Sequence, residues 1–152
     1  MANTLLIYGS LTGNTEGVAF KVQEILREKG KEIEVKNAID CDLEDLTKPY
    51  TGFILASSTW DDGLPASDFN DFIERISSSK PSLAGKKIAI LGCGDSNYVH
   101  FCGATTIIEN LFVNEMGGQK VIETIHIDGY PDMEENQALI RDWAMKLADL
   151  ID

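Results

Sequence analysis

Three short segments bring together hydroxyl-bearing, small and aromatic residues in a pattern suited to holding a ligand rather than breaking a bond. Gly9-Ser10-Leu11-Thr12-Gly13-Asn14-Thr15 offers the hydroxyls of Ser10, Thr12 and Thr15 and the amide of Asn14. A Walker A loop would need a lysine after its second glycine, and here Gly13 is followed by Asn14. Phosphate would therefore be held by neutral donors and by the backbone N–H groups of a helix N-terminus. Thr59-Trp60-Asp61-Asp62-Gly63 and Gly94-Asp95-Ser96-Asn97-Tyr98 each set an aromatic ring among acidic and small residues. An indole beside two aspartates is poorly suited to a core, so Trp60 and Tyr98 are candidates to sandwich a flat heterocycle. Taken singly, Thr12 or Asn14 could be a helix cap, Trp60 a core residue and Tyr98 a turn residue. Together the three segments describe a slot for a phosphorylated planar ligand.

Each segment directly follows an apolar run, which places it at a strand end. Leu5-Leu6-Ile7-Tyr8 reads as a buried strand, followed by Val18, Val22, Ile25 and Leu26 at helical spacing, with Gly30 as the stop. Ile33 and Val35 mark a second strand; a polar connection with Pro49 leads to a third, Phe53-Ile54-Leu55-Ala56. Phe69, Phe72, Ile73 and Ile76 form a helical stripe, broken at Ser77-Ser78-Ser79-Lys80-Pro81. Ile88-Ala89-Ile90-Leu91 is a fourth strand, and Ile107, Ile108, Leu111 and Phe112 predict a helix up to Gly117-Gly118. Val121 to Ile127 is expected as a fifth strand, Asp128-Gly129-Tyr130-Pro131 as a turn, and Leu139, Trp143, Leu147 and Leu150 as a final helical stripe. Apolar strands alternating with amphipathic helices imply an α/β fold with a parallel sheet covered on both faces, in one domain over residues 1–152. Ligands of such sheets bind beyond the carboxyl ends of the strands, where all three segments should converge.

Thirteen basic against 25 acidic residues give a net charge of −12, which disfavours nucleic acid and anionic membranes as partners. Cys41, Cys93 and Cys102 form neither a C-x-x-C pair nor an even-numbered framework, so a reduced cytoplasmic protein is expected. No leader-like pattern or run long enough to span a bilayer is evident, and His100 and His126 lack ligand-like spacing for a metal.

The motifs together resemble the flavodoxin family, in its short-chain type, over essentially the whole chain. The likeness rests on Gly9 to Thr15, on Ser58-Thr59-Trp60, and on Gly92-Cys93-Gly94-Asp95-Ser96-Asn97-Tyr98 with Phe101-Cys102-Gly103-Ala104. It implies a flavodoxin-like three-layer sandwich with a five-stranded sheet in the order 2-1-3-4-5 and FMN as a non-covalent cofactor. By the same resemblance, Ser10, Thr12, Asn14 and Thr15, with backbone of Leu11 and Gly13, hold the phosphate, and Ser58 belongs to the second flavin loop. Trp60 covers the ring's inner face, with Thr59, Asp61 and Asp62 beside it in the same loop. Tyr98 covers the outer face; backbone around Asp95 and Cys102, with the carbonyl of His100, meets the ring's pyrimidine edge, and Cys93, Gly94 and Phe101 belong to the same loop.

Two positions depart from the family's usual pattern. Asp61 stands where glycine often follows the tryptophan, and a side chain there should make rotation of the following peptide harder by ~1 kcal/mol. His100 could make a potential pH-dependent, although its backbone is the more natural contact. Asp61, Asp62 and Asp95 would oppose negative charge on the ring; one carboxylate ~10 Å away in water-like dielectric contributes roughly 0.4 kcal/mol. The resemblance thus implies a low-potential one-electron carrier, monomeric, shuttling between redox proteins and meeting their basic surfaces transiently. An FMN-dependent reductase of quinones or nicotinamides is the enzymatic alternative. A phosphoacceptor domain would need an aspartate after the third strand, where Ser57-Ser58 stand.

Overall fold

The first apolar run forms β1 (Thr4–Gly9), buried at every position because helices cover it on both sides. In the computed structural model, which describes residues 2–9, 13–59, 64–94 and 103–152, the chain then alternates strand and helix. After β1 come α1 (Asn14–Glu28), β2 (Ile33–Asn37), the short α2 (Leu43–Thr47), β3 (Gly52–Ser58), α3 (Ser67–Ser77) and β4 (Lys87–Gly94). There follow α4 (Gly103–Glu109), continued by a π-helical stretch Asn110–Glu115, then β5 (Gln119–Lys120), β6 (Ile125–Asp128) and α5 (Glu134–Ala148). Every strand pairing is parallel, in the order β2-β1-β3-β4, with β5 and β6 both on the outer edge of β4. The expected order and three-layer architecture are therefore present.

Alternation along the strands sorts the core into two halves. Leu6, Tyr8, Ile54, Ala56, Leu91 and Cys93 pack against Val18, Val22 and Ile25 of α1 and Ile140, Trp143 and Leu147 of α5. Leu5, Ile7, Phe53, Leu55, Ile88 and Ile90 meet Phe69, Phe72 and Ile76 of α3 and Ile108, Leu111 and Phe112 on the other face. Helix α1 ends as its sequence predicts. Gly30 sits at φ +80°, its N–H donates to Arg27 O at 3.0 Å, and the Lys31 N–H donates to Leu26 O at 2.9 Å, which is the Schellman pattern.

Two elements differ from expectation. The connection before Pro49 holds a 3-10 turn, Ala38–Asp40, and α2, closed by a capping box in which Asp42 and Asp45 each take the other's backbone N–H. The fifth strand is not continuous over Val121 to Ile127. Lys120 is opposite Ile88 and Ile125 opposite Leu91, so five residue steps run against three on β4; the Val121 N–H still donates to Ile88 O at 3.0 Å, and the pairing is broken from there to Ile125. Ile122 still reaches the core, and the Glu123 carbonyl accepts the Trp143 indole N–H at 2.9 Å.

Candidate functional site

Strand register brings the three singled-out segments to one end of the sheet. Gly9 lies opposite Ser57, Ser58 opposite Cys93, and Gly94 opposite Asp128, so the described starts of all three segments stand side by side at the carboxyl ends of β1, β3 and β4. Among the residues expected there, Gly13, Asn14, Thr15, Ser58, Thr59, Cys93 and Gly94 can be placed. Ser10, Leu11, Thr12, Trp60, Asp61, Asp62, Asp95, Tyr98, His100, Phe101 and Cys102 lie outside the described residues.

Gly13 opens α1 in the left-handed region at φ +88°, a conformation that costs a side chain energy, and brings no capping side chain of its own. Gly9 is small for another reason. A Cβ there would stand 2.6 Å from Phe69 Cβ and 2.7 Å from Asp68 Oδ1, so α3 needs that space. The sequence suggests instead that this glycine clears a path for the ligand's phosphate.

Two hydroxyls mark the place where an anion would sit. Thr15, fully buried, and Ser58 have side-chain oxygens shielded from solvent and, among the described residues, without a hydrogen-bond partner apart from the weakly bonding Cys93 thiol beside Thr15. Ser58 has the parity of Ile54 and Ala56 on β3 and so faces α1, which carries Thr15. Leaving such a group unsatisfied costs ~1–3 kcal/mol. Oxygens of a phosphate would satisfy both, and the N-terminal N–H groups of α1 add a favourable field for negative charge. The donor set therefore fits a phosphorylated ligand held without cationic side chains. Two other orphaned hydroxyls, Thr4 and Thr124, sit at the opposite end of β1 and in the 121–124 bulge.

The buried thiols, Cys93 beside the site and Cys41 in the α3 half of the core, are packing groups. Burial pushes the Cys93 thiol up to about 11, partly offset by the Thr15 hydroxyl; burial and then the Asp45 charge push Cys41 up to about 12. Neither offers a thiolate near neutral pH. Tyr8 is also held protonated, up to about 12, by burial and by its hydrogen bond to Glu16 at 2.8 Å in the first turn of α1.

Backbone contacts fasten the roots of the segments. The Thr59 N–H donates to Cys93 O at 3.0 Å and Thr59 bridges to Pro65, while the Ala66 N–H is shared between Ser57 Oγ and Ser58 O, both at 3.1 Å. The Thr59 hydroxyl accepts the Ala104 N–H at 3.0 Å. Beyond β4, the Gly129 N–H donates to Gly94 O at 2.9 Å, and the Asn136 side chain donates to the carbonyls of Asp128 and Tyr130, both at 2.9 Å. Thr105 Oγ1 and His126 Nε2 lie 3.0 Å apart, joining the first turn of α4 to β6. Neither Thr105 nor Asn136 is conspicuous in the sequence. The only signal was a hydroxyl or amide near a helix start, which usually means a local cap.

Comparison with known proteins agrees with this geometry. The family model for flavodoxin matches residues 6–143. The chain is 37% identical over 153 residues to the flavodoxin of Maridesulfovibrio salexigens, covering 99% of this chain and all of that one. It is 39% identical over 133 residues to the flavodoxin of Nitratidesulfovibrio vulgaris, covering 86% and 88%. The crystal structure of oxidised flavodoxin 2 from Bacillus cereus superposes with a TM-score of 0.90 at 35% identity, covering 99% of this chain and 100% of that one. With a family model over most of its length, full-length relatives above 30% identity and the same fold, this chain belongs to the flavodoxin family.

Proposed function

We propose that the protein is a low-potential one-electron carrier that binds FMN non-covalently at the carboxyl ends of β1, β3 and β4. The observation that carries the reading is the pair of buried hydroxyls, Thr15 and Ser58, poorly satisfied among the described residues, beside the N-terminus of α1 in a chain of this family. FMN, when bound, supplies the one-electron chemistry; the protein binds it, excludes water and sets its energies. Thr15 and Ser58, with Asn14 and the first N–H groups of α1, hold the phosphate. From the sequence, Ser10 and Thr12 add hydroxyls, and Trp60 and Tyr98 flank the ring. A ring covered on both faces leaves no room for a nicotinamide to stack, which favours a carrier over a reductase.

The excess of acidic residues favours the reduced carrier's role as a donor, because negative charge near the ring opposes adding more. The same excess suits brief encounters with basic surfaces of redox partners. A monomeric, single-domain cytoplasmic protein fits this role. Among the described residues no helix is long and apolar enough to cross a membrane.

Titration of the apoprotein with FMN tests the reading. Wild-type protein should take up one FMN and turn yellow. Thr15→Val and Ser58→Ala should leave apoprotein stability unchanged or slightly raised, since each removes an unsatisfied group. Each should weaken FMN binding by roughly ten- to a hundredfold, the range for hydrogen bonds to charged groups. A colourless protein with no FMN uptake, or steady NADPH oxidation without a protein partner, would overturn it.

A further inference from the structure

We propose that Thr59 is a positioning residue for the bound flavin: its hydroxyl ties the root of the segment that carries Trp60 to the root of the segment that carries Tyr98. The proposal rests on the carrier reading above. Thr59 is 8% exposed and held at three points. Its N–H is bonded to Cys93 O on β4, it bridges to Pro65, and its Oγ1 accepts the Ala104 N–H at 3.0 Å across 45 residues of chain.

The Ala104 bond is unusual in its source. The first N–H groups of a helix have no partner within it, and the ordinary acceptor is a side-chain oxygen of the residue just before the helix. In this chain that residue is Cys102, and a thiol is a weak acceptor. The second N–H of α4 is satisfied instead by a threonine at the end of β3. The start of α4 is therefore tied to the sheet through Ala104. Residues 60–63 begin immediately after Thr59, and residues 95–102 end immediately before Gly103 and Ala104. One hydroxyl thus serves as a common anchor for the two segments that are to face the ring. A cap alone would affect only stability; an anchor shared in this way should also be felt in FMN binding.

The test compares wild type, Thr59→Val, which keeps shape but loses the acceptor, and Thr59→Ser, which keeps it. Hydrogen exchange of the Ala104 amide is measured by NMR in the apoprotein. FMN dissociation constants and the two one-electron midpoint potentials are measured on the flavin-loaded protein. In T59V the Ala104 amide should exchange about tenfold faster, FMN should bind about tenfold more weakly, and the separation of the potentials should move, while T59S stays near wild type throughout. If T59V does not fold, Thr59→Ala carries the same expectations. Unchanged exchange at Ala104 would overturn the anchor. Faster exchange with unaltered affinity and potentials would reduce Thr59 to a cap and overturn its positioning role. Wild-type protein that took up no FMN would overturn the carrier reading itself, a failure distinguishable because Ala104 exchange is read without flavin.

Discussion

Gly9 and Thr15 show how a residue's role depends on what stands opposite it. Gly9 looks like a glycine kept small for a ligand, yet it is α3 that presses on it, with Phe69 Cβ and Asp68 Oδ1 both under 3 Å from where a side chain would begin. Gly9→Ala must therefore shift either β1 or the first turn of α3. A loss of about 1–3 kcal/mol in urea unfolding is expected, with the apoprotein affected as much as the loaded form. Thr15 differs because its hydroxyl, among the described residues, has no partner beyond the weakly bonding Cys93 thiol. It contributes little to the empty fold and becomes useful when an acceptor arrives. The sequence pointed to Thr15 as a phosphate ligand from its neighbours and, through the family resemblance, to Ser58 as part of the second flavin loop. That both hydroxyls are buried and, among the described residues, poorly satisfied is a property of packing which no spacing rule contains.

At the scale of elements, the edge of the sheet departs most from a regular reading. Val121-Ile122-Glu123-Thr124 has strand-forming composition, but Ile122, Ile125 and Ile127 all face the core, and the odd step between the first two cannot be met by a flat strand with a period of two. The chain resolves this by inserting two extra residues and tying the Glu123 carbonyl to Trp143. Trp143→Phe keeps the aromatic body and leaves that carbonyl without its donor. It should destabilise the protein by about 1–3 kcal/mol in thermal or denaturant unfolding.

His126, on the same edge, is held below its ordinary 6.5 by partial burial and by the Lys120 charge. The neutral ring is thus favoured in the folded state, and the unfolded chain binds more protons between the depressed value and 6.5. Its contribution is present above pH 6.5 and is lost as pH falls through that window. Unfolding free energy measured against pH should decline there in wild type, and the decline should be shallower in His126→Gln.

At the scale of the molecule, the charge of −12 acts over distances that no single contact spans. With a Debye length of ~10 Å at 0.1 M salt, steering towards a basic partner is strong only when salt is low. Electron transfer to a basic redox protein, followed by stopped flow, should slow by about tenfold as ionic strength rises from roughly 10 to 300 mM. A rate indifferent to salt would mean that partners dock through another surface. Exchange with a small neutral acceptor should show no comparable salt dependence.

Alternating apolar runs and helical stripes determined, from the sequence alone, the layers, the helix that Gly30 ends and the position of the ligand end of the sheet, because burial periodicity and turn chemistry are local. The three motifs likewise made the family legible, since a phosphate cradle without lysine requires those residue types in one run. Tertiary structure decided the rest: that α3 needs Gly9, that the last strand divides, that the Thr15 and Ser58 hydroxyls are poorly satisfied among the described residues, and that Ala104 is capped by Thr59. Each of these depends on which groups far apart in the chain meet and which do not, and that follows from how layers pack, which local sequence does not encode.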